Sequence, residues 1–253
     1  MKKLSVFSFL ILIFIFGCSN SSIKSKPKPD KLVKVIVKGD GIVSFQEKLV
    51  KYGETITIVA EGQNGSDFIS WNNDISANNN QLEITVKKDM TIRALFLTPI
   101  LISTLEELEK IGNVEGFPLD GYYKLTNNID ASITKESSYN NGKGWDAIGD
   151  CESISTNYHS FGGRFDGGGY TISNLYINDA FKTELFDFDK RVGLFEILSY
   201  SALIKNLNLE NVDITGYRYV GAIAGTNKGT IANCSVTGTV KGFEFVGGLV
   251  GEN

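Results

Sequence analysis

Two stretches near the end of the chain constrain the fold more than anything else in it. Val220-Gly221-Ala222-Ile223-Ala224-Gly225-Thr226-Asn227 returns as Val246-Gly247-Gly248-Leu249-Val250-Gly251-Glu252-Asn253, and a weaker copy, Val192-Gly193-Leu194-Phe195, precedes both. The interval of about 26–28 residues lies in the range of structural repeats that stack. A second phrase recurs between these blocks: Ile172-Ser173-Asn174-Leu175-Tyr176-Ile177, Ile204-Lys205-Asn206-Leu207-Asn208-Leu209, and Ile231-Ala232-Asn233-Cys234-Ser235-Val236. Each period holds short alternating apolar runs separated by Gly and Asn, and no such unit can bury its apolar face alone. Stacked coils of a β-solenoid satisfy the pattern.

Aligning the three phrases predicts two inward columns, Leu175/Leu207/Cys234 and Ile177/Leu209/Val236. Two outward columns follow, Tyr176/Asn208/Ser235 and Asn178/Glu210/Thr237, because successive strand side chains alternate faces. Asn174, Asn206 and Asn233 fall at one corner, where their amides can bond from coil to coil; equally, they are residues that suit turns.

These residues carry a resemblance. The block Val246–Asn253, with Asn227–Gly238 before it, resembles the GLUG repeat of bacterial surface proteins, found among others in the amino-terminal regions of IgA-cleaving metallopeptidases. Phe161-Gly162-Gly163-Arg164-Phe165-Asp166-Gly167-Gly168-Gly169-Tyr170 resembles the lead-in coils of such repeats. The resemblance spans roughly residues 100–253 and implies a right-handed parallel β-helix and surface display. It implies no particular chemistry.

The amino terminus reads as an export signal. Lys2-Lys3 is followed by an apolar run from Leu4 to Phe16, shorter than the roughly 20 residues a membrane-spanning helix needs. The run ends at Ile15-Phe16-Gly17-Cys18, which resembles the lipobox of bacterial lipoprotein precursors, with an unusual aromatic at Phe16. The resemblance implies cleavage after residue 17 and attachment of acyl chains at Cys18; a plain secretory signal is the alternative. Ser19 offers no retention signal of the Asp type, so transfer to an outer membrane is open. Residues 18–31, with Lys26-Pro27-Lys28-Pro29, form a polar tether.

Residues 32–98 read as a small all-β module. Alternation marks Leu32–Val37, Thr55–Ala60, Leu82–Val86 and Thr91–Phe96, with turns at Gly39-Asp40-Gly41, Tyr52-Gly53 and Asn78-Asn79-Asn80. The order of these strands, with Phe68-Ile69-Ser70-Trp71 between them, resembles the bacterial domain related to internalin B repeats, a spacer or contact module. Trp71 is expected in its core. Past Pro99, Ser103-Thr104-Leu105-Glu106 has capping-box spacing, so Ser103 is expected to open a short helix to about Lys110. Leu105, Leu108 and Ile111 would bury against the first coil as an end cap. Gly121–Asp130 begins the coils, Trp145–Gly149 continues them, and residues 132–144 and 150–160 read as projecting polar loops.

Chemistry is sparse. A zinc peptidase motif needs two histidines, and His159 is the chain's single one. Cys18, Cys151 and Cys234 lack metal-ligand spacing. Among β-helix enzymes that cleave polysaccharides, paired carboxylates do the work; here Asp166 is better read as a turn acceptor beside glycines. The charge run Asp187, Asp189, Lys190, Arg191 reads as solvated loop. Gly167-Gly168-Gly169 lacks the Lys-Ser/Thr of a phosphate loop, and no spaced calcium ligands are present. A formal charge of −4, more negative once Lys2 and Lys3 are removed, argues against a nucleic-acid face.

The expectation is an all-β, lipid-anchored, non-catalytic surface protein that needs no cofactor. Its partners are the membrane, through Cys18, and a protein or glycan, with contact area from Tyr176, Tyr217 and Tyr219. The alternatives are a truncated relative of a surface metallopeptidase and a polysaccharide-cleaving β-helix. Because the chain stops inside a repeat, the sequence reads as a fragment, or as a chain whose last coil meets a partner.

Overall fold

The computed structural model describes residues 26–149, 160–179 and 190–253. Among the described residues the fold is predominantly β, with one α-helix. Cys18, Cys151, His159, Asp187 and Asp189 lie outside the described residues.

The apolar side chains gather into two separate cores. The first belongs to strands that alternate one buried with one exposed residue, as in Thr55–Gly62 and Gln81–Thr85. Their inward Ile56, Ile58, Ala60, Leu82 and Ile84 pack with Val33, Val35, Ile92, Ala94 and Phe96 around Trp71, whose indole is fully buried. Burial of an indole requires its N–H to find an acceptor, and Nε1 donates to the Asn79 carbonyl at 2.8 Å. Neighbouring strands here are mostly antiparallel. The exception closes the unit: Lys31–Lys38 runs parallel to Met90–Leu97, pairing Val35 with Ile92.

The second core is built from strands of mostly three or four residues that pair in parallel, each with its counterpart in the next coil of the stack. Ile100–Ile102, Tyr122–Leu125, Arg164–Asp166, Leu203–Lys205 and Thr230–Ala232 form one such ladder. Tyr123, Phe165, Ile204 and Ile231 occupy successive rungs of it. A second ladder runs through Ile129, Ile172, Leu209 and Val236, and beside it Ile177, Ile214 and Val240 align. The Val-Gly blocks make a third set: Val192 bridges Val220, Val220 pairs with Val246, and Phe195, Ala224 and Val250 follow. Their glycines recur for a steric reason. A Cβ on Gly221 would overlap the Ala224 carbonyl, and one on Gly247 the Val250 carbonyl.

The register differs from the sequence alignment at one phrase. Ile172 lies beside Leu209 and Ile177 beside Ile214, whereas Phe165 is the partner of Ile204. The phrase Ile172–Ile177 therefore belongs one face further round the coil than its two look-alikes. Its apolar residues still point inward, because Leu175, Ile177, Leu207 and Leu209 are all buried and Cys234 and Val236 pack partly buried against the same core.

The expected helix forms, over Leu105–Glu109, but Thr104 rather than Ser103 is its N-cap. Thr104 Oγ1 accepts from Glu107 N–H at 3.2 Å, and the Glu107 carboxylate accepts from Ser103 N–H and Oγ–H at 2.7 and 2.9 Å. The box is thus shifted by one residue, onto the Thr104/Glu107 pair whose spacing matches it. Leu108 and Ile111 are buried with Ile102, Tyr123 and Leu125, and Leu105 packs against them. The first rung is Ile100–Ile102, ahead of Gly121, where the coils were expected to begin.

Candidate functional site

The Asn residues form two corner ladders, not one. Asn174 Nδ2 donates to Asp130 at 2.9 Å, and Asn211 Nδ2 donates to Asn174 at 2.7 Å. Separately, Asn206 Nδ2 donates to Asp166 at 3.0 Å, and Asn233 Nδ2 to Asn206 at 3.4 Å. Asn174, Asn206, Asn211 and Asn233 all have positive φ, which Asn tolerates better than most residues. Both functions read from the sequence, turn and ladder, are served by the same side chains.

Each ladder starts on a carboxylate. Asp130 also accepts from Ser132 N–H and Oγ–H, and its pKa is held below the ordinary value, first by the Asn174 amide and then by Ser132. Asp166 is nearly buried, which pushes its pKa up. Donation from Gly168 N–H, Asn206 and Lys205 outweighs that and leaves it below the ordinary value. Gly168 N–H lies 2.9 Å from the carboxylate and Lys205 Nζ 2.9 Å. Asp166 is thus a turn acceptor with its bonding capacity filled from three sides. No three His, Cys, Asp or Glu side chains among the described residues are placed to hold a metal ion.

The sequence places residues 132–144 in a projecting loop. Instead, two short 3₁₀ turns, Ser132–Lys135 and Tyr139–Gly142, lie against the coils. Thr134 is fully buried; its hydroxyl donates to the Ala131 carbonyl and accepts from Tyr176 N–H. The first turn therefore walls a groove of about 500 Å³ whose floor is the outer face of strands Tyr176–Asp179, Asn208–Gly216 and Ser235–Lys241. Ser132, Lys135, Asn174, Tyr176, Asn211 and Asp213 are among its lining residues. Lys135 and Asp213 pair across it at 3.1 Å, and the ammonium lies 5.4 Å from the Tyr176 ring centre. The groove's shape follows from a break in register between Leu209 and Val212, opposite Gly238 at φ 126°. A side chain at Gly238 would overlap the Val212 backbone.

The other two tyrosines sit at a different corner. Tyr217 stacks on Phe243 and Tyr219 on Phe245, with ring centres 5.4 and 4.9 Å apart and planes within 17° and 10°. Each pair is one 26-residue period apart, so the stack is the repeat made visible in aromatic rings. Arg218 and Glu244, between them, pair at 2.9 Å. Arg191 and Arg218 guanidinium groups lie 5.1 and 5.0 Å from the Tyr219 ring centre. Tyr219 and Phe245 both hold φ of 52°, a backbone state costly for bulky side chains. Tyr176, Tyr217 and Tyr219 are half-buried, not freely exposed. Arg191 and Lys190, expected in solvent, are engaged: Lys190 pairs with Asp179 at 3.1 Å, and Arg191 Nε donates to Thr226 at 3.2 Å. The stacking partners Phe243 and Phe245 lay outside the sequence reading, although the same 26-residue offset that aligned the Val-Gly blocks relates them to the tyrosines.

Residues 216–241 match the GLUG motif. The matched segment covers strand Arg218–Val220, the buried run to Asn227, strand Thr230–Ala232 and the whole of strand Ser235–Lys241. The chain is 39% identical over 154 residues, 61% of its length, to halomucin of Haloquadratum walsbyi, and 33% identical over 142 residues to a candidate Gly-rich membrane protein of Evansella cellulosilytica. It spans 2% of the first of these relatives and 14% of the second. Among solved structures, a candidate immunoglobulin A1 protease from Bacteroides ovatus aligns over 56% of this chain and 38% of its own, at 18% identity and a TM-score of 0.38.

Proposed function

We propose that the chain is a non-catalytic binding or display module of the cell envelope, held at the membrane through acyl chains on Cys18. In this reading residues 1–17 are a cleaved signal and residues 18–31 a tether. Residues 32–98 are a spacer module of the internalin B-repeat kind, and residues 99–253 a right-handed parallel β-helix capped by the helix Leu105–Glu109. The observation that carries it is the coincidence of the GLUG match with the parallel rungs of the second core. A repeat whose inward residues only stack leaves its outward ladders and corners for contact, and the two ladder carboxylates, Asp130 and Asp166, are already taken up by Asn174, Ser132, Gly168, Asn206 and Lys205. Relatives named for a mucin and for a membrane agree with an extracytoplasmic position.

The test is the intact mass of the protein purified from its own cell, together with detergent partitioning. A chain beginning at acylated Cys18 in the detergent phase supports the reading. An unacylated chain in the aqueous phase overturns the anchor.

A further inference from the structure

We infer that the groove walled by Ser132–Lys135 is a binding site for a neutral saccharide, with Tyr176 as the platform on which a sugar ring stacks. The inference rests on the reading of the chain as a binding module and gives that module a ligand class. At about 500 Å³ the groove falls within the range of small-ligand sites, roughly 300–1,000 Å³.

Its lining selects among ligand classes. One ammonium and one carboxylate face each other across it and cancel, and the remaining polar groups are the amides of Asn174 and Asn211 and the hydroxyls of Ser132 and Thr239. A nucleic acid asks for clustered cations, which are absent from this lining. A peptide partner asks for apolar anchor pockets at the centre of the contact; Val212 is buried, which leaves one tyrosine ring as the apolar surface. A sugar asks for what is present: a flat ring for its C–H face, a carboxylate to accept from neighbouring hydroxyls, and amides that donate and accept at once.

The bonding inventory agrees. In the ladder Asp130–Asn174–Asn211 every amide donates towards Asp130, so among the described residues Asn211 Oδ1 ends the ladder with no donor. The Tyr176 hydroxyl and the second Asp213 oxygen likewise have no protein hydrogen bond among the described residues. Lys135 and Asp213 are 66% and 45% exposed, so their pair opens at little cost and both ends turn to ligand hydroxyls. The strands beneath are hydrogen-bonded to one another in parallel, which pre-forms the site and spares the ligand the cost of ordering it.

The test is affinity electrophoresis of the full chain, in a polyoxyethylene detergent that carries no sugar headgroup, through gels containing mannan, xylan, a β-glucan or polygalacturonate. The expected result is retardation by at least one of the neutral polymers. Tyr176→Ala should weaken it tenfold or more, Tyr176→Phe should largely preserve it, and Thr239→Arg should block it while leaving the Trp145 fluorescence unchanged. Phe243→Ala at the other corner should not alter it. Retardation by none of the neutral polymers overturns the inference, and so does retardation that Tyr176→Ala and Thr239→Arg leave intact. Retardation by polygalacturonate alone, abolished by salt, overturns the neutral class. If the chain still adheres to intact cells when Tyr176→Ala is made, the binding-module reading survives and the saccharide groove does not; the anchor is read separately from the mass of Cys18.

Discussion

The two cores are both built of apolar side chains on strands, yet close in opposite ways. In the first, strands of up to eight residues pair mainly antiparallel with neighbours, and one contact between the first and last strands completes the sheet. In the second, strands of mostly three or four residues pair in parallel, each with a segment one coil off. A long strand buries enough on its own face to be specified locally. A three-residue strand buries almost nothing until its neighbours in the stack are in place, so its order comes from repetition. Damage should therefore spread through the whole of the first core but stay near the altered rung in the second.

The chain's two tryptophans report on one core each, Trp71 on the first and Trp145 on the second. Trp71→Ala removes the centre of the small core and the Nε1 bond to Asn79. We expect a loss of about 3–5 kcal/mol, enough to unfold those strands, while the Trp145 emission keeps its own urea transition. A single merged transition in the parent chain would break the comparison. Leu209→Ala, at a fully buried rung between Ile172 and Val236, should cost about 2–5 kcal/mol. Hydrogen exchange should localise the loosening to the rungs either side of it and leave the Trp71 strands protected.

Two further changes probe how the stack is finished. Asp166→Ala strips the acceptor from Gly168 N–H and Asn206 Nδ2 and the partner from Lys205, at an expected cost of about 1–3 kcal/mol. The check is the Trp145 urea midpoint. Thr104→Ala should cost about 1 kcal/mol through the lost N-cap, whereas Ser103→Ala should cost less because its hydroxyl caps nothing but Glu107. That ordering separates the observed cap from the one expected at Ser103.

What the sequence disclosed follows the same divide. The four alternating runs of the first core appear where expected, because alternation is a local signal. The parallel pairing of Lys31–Lys38 with Met90–Leu97 was not legible, since nothing in either segment names a partner so far away. In the stack the Val-Gly blocks declared their register directly, because in each copy the glycine lies where a Cβ would meet a backbone carbonyl. The phrase Ile172–Ile177 misled, because Asn-Leu-x-apolar suits two different corners of the coil equally well; Ile172 resembles Ile204 by sequence and neighbours Leu209 in space. The groove was invisible for a related reason. Its wall, Ser132–Lys135, looks like any polar loop, yet the buried Thr134 hydroxyl bonded to Tyr176 N–H, the Ala131 N–H bonded to the Ser173 carbonyl and the Lys135–Asp213 pair hold it against the strands.

The smallest expected effect is on acid response, and its sign is set by the two ladder carboxylates. Asp130 and Asp166 both have folded pKa values below the ordinary value. Each therefore binds its proton more readily in the unfolded chain, and its stabilisation is complete above the unfolded value near 3.9 and is lost as pH falls through the lower folded value. Asp74 in the first core is also held low, by Thr91 N–H and then Lys88, so both cores should weaken in acid. Urea midpoints followed at pH 6, 5, 4 and 3 by Trp145 in a Trp71→Phe chain should stay level to about pH 5 and then decline. Asp166→Asn keeps an oxygen for Gly168 and Asn206 but removes the titrating group, so it should flatten that decline while lowering the plateau slightly through the lost Lys205 pair. In the converse chain, with Trp145→Phe and Trp71 reporting, Asp166→Asn should leave the acid decline unaltered. A decline that shifts equally in both would mean that the two cores do not unfold independently, and that the contact of Tyr122 and Lys124 with Asp67 at their junction couples them.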